Sequence, residues 1–204
     1  ARRYALVMWD HGDGWRSMPT GESKDGVAPI KSFSQDLTGS AGYTISIGEW
    51  GEYAAALGEM QRFMGRPFDL LGFDACLMGM WEVAHASMGY GDFLVASEEN
   101  EPGYGWKYDD FLADLAATPM MTADQLGASI VQSYYDTDPM SSTLSVVDLN
   151  ALADLNQKVN AFAKVLRANS ASFATINTHV LNTQGFNTTL SNTSKVHRDL
   201  RHFA

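Results

Sequence analysis

Two short apolar runs, Tyr4-Ala-Leu-Val-Met-Trp9 and Phe68-Asp-Leu-Leu-Gly-Phe73, constrain the fold more than any other feature of this chain. The first has no polar alternation, which is the pattern of a strand covered on both faces in a parallel sheet. Parallel strands need a crossover. Trp50, Tyr53, Ala54, Leu57, Met60 and Met64 supply one at helical spacing, closed by Arg66-Pro67, so the second run returns in the direction of the first. Thr44 to Ile47 reads either as a short strand or as an extended lead into that helix. Further on, Asp92 to Ser97 and the β-branched Thr143 to Val147 predict two more strands. Helices are expected over Gly79 to Ser87, over Tyr108 to Ala116, around Leu126, Ile130 and Tyr134, and along Leu152, Leu155, Val159, Phe162 and Leu166. The pattern is that of an α/β protein with a mostly parallel sheet.

Composition narrows the partners. At 204 residues with 45% hydrophobic content, the chain fits one domain with a sizeable core, and no second domain is expected. A formal net charge of -10 disfavours nucleic acid and anionic membranes and favours a cationic substrate at long range. There is no apolar run long enough to span a membrane and no signal-like start. The single cysteine excludes an internal disulfide and a structural zinc site of the CxxC kind, and it leaves the cellular compartment open.

That cysteine, Cys76, falls where the Phe68 to Phe73 strand should hand over to the next helix. A thiol at a helix start faces unpaired N–H groups and the positive end of the dipole, which lower its pKa from about 8.5. Asp10-His11-Gly12-Asp13-Gly14-Trp15 follows the other parallel strand, so His11 and Cys76 both belong to the carboxyl edge of the sheet, where α/β folds place their sites. His11 can there take the thiol proton and return it to a leaving amine. Each also has a plainer reading, Cys76 as an inert buried residue and His11 as a hydrogen-bonded turn residue.

Glu98-Glu99-Asn100-Glu101-Pro102-Gly103-Tyr104-Gly105-Trp106 follows the third strand at the same edge. It reads as a groove wall with stacking aromatics or as a solvated acidic loop. The polar stretch from Arg16 to Gly42 reads as a long exposed loop, and Arg16, Lys24 and Lys31 make it accessible to a protease that prefers basic residues. From Asn169 the chain is rich in Asn, Thr and Ser, with one element, strand or helix, near Phe173 to Leu181. His179, His197 and His202 lack metal-ligand spacing, and the end of the chain reads as a solvated tail. Asn187-Thr-Thr189 and Asn192-Thr-Ser194 match a glycosylation pattern that matters only in a eukaryotic secretory setting.

The segments His11-Gly12-x-Gly14-Trp15, Asp74-Ala75-Cys76-Leu77-Met78 and Ser97-Glu98-Glu99-x-Glu101-Pro102-Gly103-x-Gly105-Trp106, in this order, resemble the clostripain family of cysteine peptidases from about Arg3 to about Leu166. The resemblance implies a caspase-like three-layer α/β/α sandwich over 1–168, with 169–204 as a polar extension of the same domain. It implies Cys76 as nucleophile, His11 as general acid/base, and the N–H groups of Gly12 and Cys76 as the oxyanion hole. Asp74 matches the acidic floor of the primary specificity pocket, which would direct cleavage after Arg or Lys, although a turn or helix-start role suits its position equally. Glu98 or Glu99 would add charge to the pocket, and Trp106 would help form the groove.

Family members usually carry further strands ahead of the histidine strand. The resemblance therefore implies that the missing amino-terminal segment is a tight partner of this chain, that one edge of Tyr4 to Trp9 is left unpaired, and that the enzyme is activated by self-processing at a basic residue. It also implies a secreted or cell-envelope-associated bacterial protein. No cofactor is required by the sequence; calcium is allowed by the resemblance, but no calcium loop is legible. Against the peptidase stand a catalytically silent relative that binds peptides or a protein partner through the same groove, and another acyl-transfer enzyme such as an amidase using Cys76. The joint presence of Cys76, His11 and Asp74 favours the peptidase.

Overall fold

The computed structural model describes residues 3–12, 14, 32–36, 43–47, 51–137, 139, 143–187, 195 and 197–204. They form two compact units, Ala1–Asn150 and Ala151–Ala204. In the first unit a four-stranded sheet has the order β1 (Ala5–Trp9), β4 (Phe68–Asp74), β5 (Gly91–Ser97), β6 (Leu144–Asp148). The pairs β1–β4 and β4–β5 are parallel and β5–β6 is antiparallel, so the sheet is mostly parallel as expected. Within this described sheet β1 lies at an edge, and its ends Ala5 and Trp9 are exposed instead of covered.

The pleat of β4 sorts its side chains between two layers. Leu70 points into a cluster with Val95, Trp106, Phe111, Ile130, Tyr134 and Leu144, beneath α3 (Tyr108–Ala117) and α4 (Ala123–Thr137). Phe73, of opposite parity, meets Phe33 edge-on at 5.1 Å and Tyr53 at 5.4 Å on the other face. That face carries α1 (Glu52–Met64) and α2 (Trp81–Ser87). Layering follows from period two: even positions of β4 face α3 and α4, odd ones face α1. Asp74 is even, which sends its carboxylate towards the α3 side.

The predicted crossover helix is α1, and it ends at Gly65 in the left-handed conformation. Two expectations change. Part of the stretch read as a loop from Arg16 to Gly42 is β2 (Ser32–Asp36), which pairs antiparallel with β3 (Tyr43–Ser46) in a separate two-stranded sheet with an irregularity between Phe33 and Gln35. Turn residues on either side obscured so short a strand. Trp15, Arg16, Lys24, Lys31 and Trp50 lie outside the described residues. In the second unit, α5 (Leu152–Ala168) is followed by α6 (Phe173–Asn182) and α7 (Leu200–Phe203). The expected solvated tail is held instead by main chain: Arg198 donates to the carbonyls of Thr183 and Lys195, both at 2.9 Å, and Phe186 is buried.

Leu71 is fully buried in the central strand. Leu71→Ala should lower the unfolding free energy by about 2–5 kcal/mol, read from denaturant titration, because its neighbours on a four-stranded sheet cannot collapse into the void.

Candidate active site

Register builds the site. Trp9 pairs with Asp74 across the parallel strands, so His11 and Cys76, each two residues further along, occupy equivalent places in adjoining turns. The turns touch through their main chains. A Cβ on Gly12 would stand 2.3 Å from the Cys76 carbonyl oxygen, so only glycine lets the histidine turn lie this close.

The histidine turn is anchored from β2. Ser34, at φ 58, donates its N–H to the His11 carbonyl at 3.0 Å and its hydroxyl to Asp10 Oδ2 at 2.7 Å, while Asp10 Oδ1 accepts from the His11 N–H at 2.6 Å. His11 itself is exposed. The anchoring by Ser34 left no signal in the sequence, because its partner is distant in the chain and lies in a stretch that reads as loop.

The cysteine's turn is held from the other side. Leu77 donates to the Glu99 carbonyl at 3.1 Å and Gly79 to that of Ser97 at 2.7 Å, while Thr143 Oγ1 accepts from the Glu99 N–H at 2.9 Å. Leu77, directly after Cys76, has φ 62, a left-handed conformation that is costly for a branched residue and persists only where surrounding bonds enforce it. The thiol of the partly buried Cys76 sits between the main-chain groups of Glu101: the N–H donates to Sγ at 3.2 Å and Sγ lies 3.7 Å from the carbonyl oxygen. The expected helix-start activation does not apply. Helix α2 begins only at Trp81, capped at Met80, and the dipole effect fades beyond the first turn. The donor to the sulfur is the Glu101 amide.

Asp74 is buried, and Oδ2 accepts from the Trp106 main-chain N–H at 3.1 Å and the Tyr108 hydroxyl at 2.9 Å. Gly105, at φ 68, lies against the carboxylate so closely that a Cβ there would meet Oδ2 at 2.7 Å. Burial and the adjacent Asp74 raise the Tyr108 pKa, which keeps its hydroxyl a donor.

Sequence reasoning proposed Glu98 or Glu99 as the second acid of this pocket. The carboxylate that the fold brings to Asp74 is that of Glu101, whose Oε2 accepts from Trp106 Nε1 at 3.0 Å. Its other oxygen, Oε1, is buried without a hydrogen-bond partner. Burial, reinforced by the charge of Asp74, pushes the Glu101 pKa up to about 9. Glu98 is partly exposed and Glu99 buried. Trp106 is buried in the core cluster, so its ring is not offered to a ligand, and its role at the site is to donate two N–H groups to the two acids. Among the described residues no group of three or more His, Cys, Asp and Glu is gathered to hold a metal.

A model of the clostripain family matches residues 1–201. The chain belongs to the clostripain family of cysteine peptidases. Among solved structures, a secreted C11 cysteine protease from Bacteroides thetaiotaomicron bound to an irreversible peptide inhibitor is 24% identical, with a TM-score of 0.57 over 90% of this chain and 45% of that one. Another structure of a secreted protease from that organism, called iotapain, is 22% identical, with a TM-score of 0.58 over 91% and 48%. An inactive zymogen C11 protease from Parabacteroides distasonis is 23% identical, with a TM-score of 0.51 over 76% and 36%. These likenesses show the fold, the caspase-like α/β arrangement that the resemblance implied. The chain spans less than half the length of these structures. No curated protein matches it.

Family membership makes the acid pair a testable feature of stability. The native Glu101 holds a proton that the unfolded chain has lost between pH 4.5 and about 9, so its contribution weakens as pH rises through that window. Urea titrations at pH 5, 7 and 9 should show falling stability, with a slope of at most about 1.4 kcal/mol per pH unit from this group. Glu101→Gln keeps an acceptor for Trp106 and a donor towards Asp74, and should flatten the dependence.

Proposed function

We propose that the chain carries the catalytic centre of a cysteine endopeptidase that cleaves after Arg or Lys. The observation that carries this reading is a buried carboxylate two residues before the cysteine, accompanied by a second acid and answered by no lysine or arginine of the chain among the described residues. A buried acid pair of this kind suits a guanidinium or ammonium supplied from outside.

In the proposed reaction His11 removes the Cys76 proton and Sγ adds to the scissile carbonyl carbon, while the N–H groups of Gly12 and Cys76 receive the oxygen as it becomes an anion. The C–N bond breaks as His11 protonates the leaving amine, and water releases the acyl group from sulfur by the reverse proton path. The Glu101 N–H at 3.2 Å supports the thiolate, and the bonds from Ser34 hold the histidine turn in place. The exposed edge of β1, beside an apolar cavity of about 490 Å³ lined by Tyr4, Leu70, Leu112, Met120 and Leu126, offers a place for an added partner strand, the role expected of an amino-terminal segment.

Activation by cleavage at a basic residue is part of the same proposal, and the existence of an inactive zymogen among the structural relatives supports it. Secretion is proposed on the same footing, since two of the relatives are secreted and no helix of the described residues is long and apolar enough to cross a membrane.

The test uses the full-length protein and matched fluorogenic peptides ending in Arg, Lys, Asp or Leu. Cys76→Ala and His11→Ala should each lower kcat/KM at least about 10³-fold. Asp74→Asn should lower it about 30- to 3,000-fold for Arg and Lys peptides, the effect of truncating one partner of a buried charge pair. Intact peptides throughout would turn the groove into a binding surface.

A further inference from the structure

The Glu101 side chain stands beside Asp74, below the turn that carries Cys76. Its carboxyl lies within hydrogen-bonding reach of Asp74, its Oε2 is taken by Trp106 Nε1, and its Oε1 is buried without a partner. The groups facing it are Asp74 at the end of β4, Tyr108 at the start of α3, the Trp106 indole, and Cys76, which meets its main chain. None of these is a cation. Two carboxyl groups in one buried place cannot both be ionised without a compensating charge.

From this we propose that Glu101 is the second carboxyl of the cation pocket, and that a basic side chain enters by replacing the proton shared by Glu101 and Asp74. The inference rests on the reading of Asp74 as the pocket floor. The exchange is balanced: the pocket with one proton and one negative charge takes up a monovalent cation, releases one proton to solvent, and ends with two carboxylates around one cation. A guanidinium is suited to this, because its fork can donate to both acids at once.

The consequence is that affinity for a basic group depends on pH through the pocket itself, separately from the titration of Cys76 and His11. It also gives the pocket a means of discrimination. An uncharged side chain cannot displace the proton, and entering beside it would bury the remaining negative charge without a counter-charge.

Benzamidine, a monovalent amidinium without a scissile bond, separates this effect from catalysis. Its dissociation constant should be measured by titration calorimetry on the full-length protein between pH 5.5 and 8, in two buffers of different ionisation enthalpy. The expected result is a Kd that falls about tenfold per pH unit, with close to one proton released per ligand bound. Glu101→Gln should make Kd independent of pH and abolish that release, whereas Glu101→Asp, which keeps a titratable carboxyl, should retain both. A flat native Kd with no buffer-dependent heat overturns the exchange, as does an unchanged slope in Glu101→Gln. If the protein cleaves after Arg yet binds benzamidine without proton release, the exchange alone is lost. If it cleaves only after uncharged residues and does not bind benzamidine, the pocket reading falls and takes the exchange with it.

Discussion

The parallel register of β1 on β4 is the constraint on which the rest of the site depends. Pairing Trp9 with Asp74 brings two turns of different sequence origin to the same height at the sheet's carboxyl edge. A slip by one residue would move His11 relative to Cys76 and would turn each side chain of a strand to the opposite face. The register is protected from two directions. Leu70, Leu71 and Phe73 are each essentially fully buried, so β4 cannot shift without exposing one layer of the core. Gly12 lies directly on the carbonyl of Cys76, so the histidine turn fits only where no Cβ intrudes.

The same pleat explains why Asp74 and Cys76 lie so close yet meet different groups. Asp74 has the parity of Leu70 and faces the layer that contributes Trp106 and Tyr108, whose N–H and hydroxyl groups solvate it in place of water. Cys76 follows beyond the strand, where the chain has turned and the pleat no longer dictates direction. Loop 98–106 then serves both. Its main chain at Glu101 brackets the thiol, and its side chain at the same residue meets the acid below. One residue thus joins the buried acid to the cysteine, which makes the position of the loop matter more than the identity of its exposed members.

Much of this was legible in the sequence, for physical reasons that can be named. Short apolar runs and a helical crossover sufficed for β1, α1 and β4, and parallel pairing sufficed to bring His11 and Cys76 to one edge. Strand β2 escaped notice because five residues flanked by turn formers carry too little periodicity. The choice among Glu98, Glu99 and Glu101 was invisible, since three acids within four positions of a loop have no period to say which turns inward. Trp106 misled for a related reason: an aromatic beside glycines in a loop suits a ligand wall, yet its ring here fills the core and only its N–H groups serve the site.

The helix-start argument for Cys76 does not describe its surroundings. Four residues, Leu77 to Met80, separate the thiol from α2, and a helix of 7 residues has little dipole to project that far. The oriented amide of Glu101 donates to the sulfur, and the strained Leu77 aims the turn. An amide at hydrogen-bond distance acts locally and keeps its strength only while the loop stays in place. The ladder from Ser97 and Glu99 to the cysteine's turn therefore holds both contacts, because loosening it would withdraw the amide from the sulfur and the Glu101 carboxyl from Asp74 together. A helix dipole would have tied the thiol to α2; this arrangement ties it to loop 98–106.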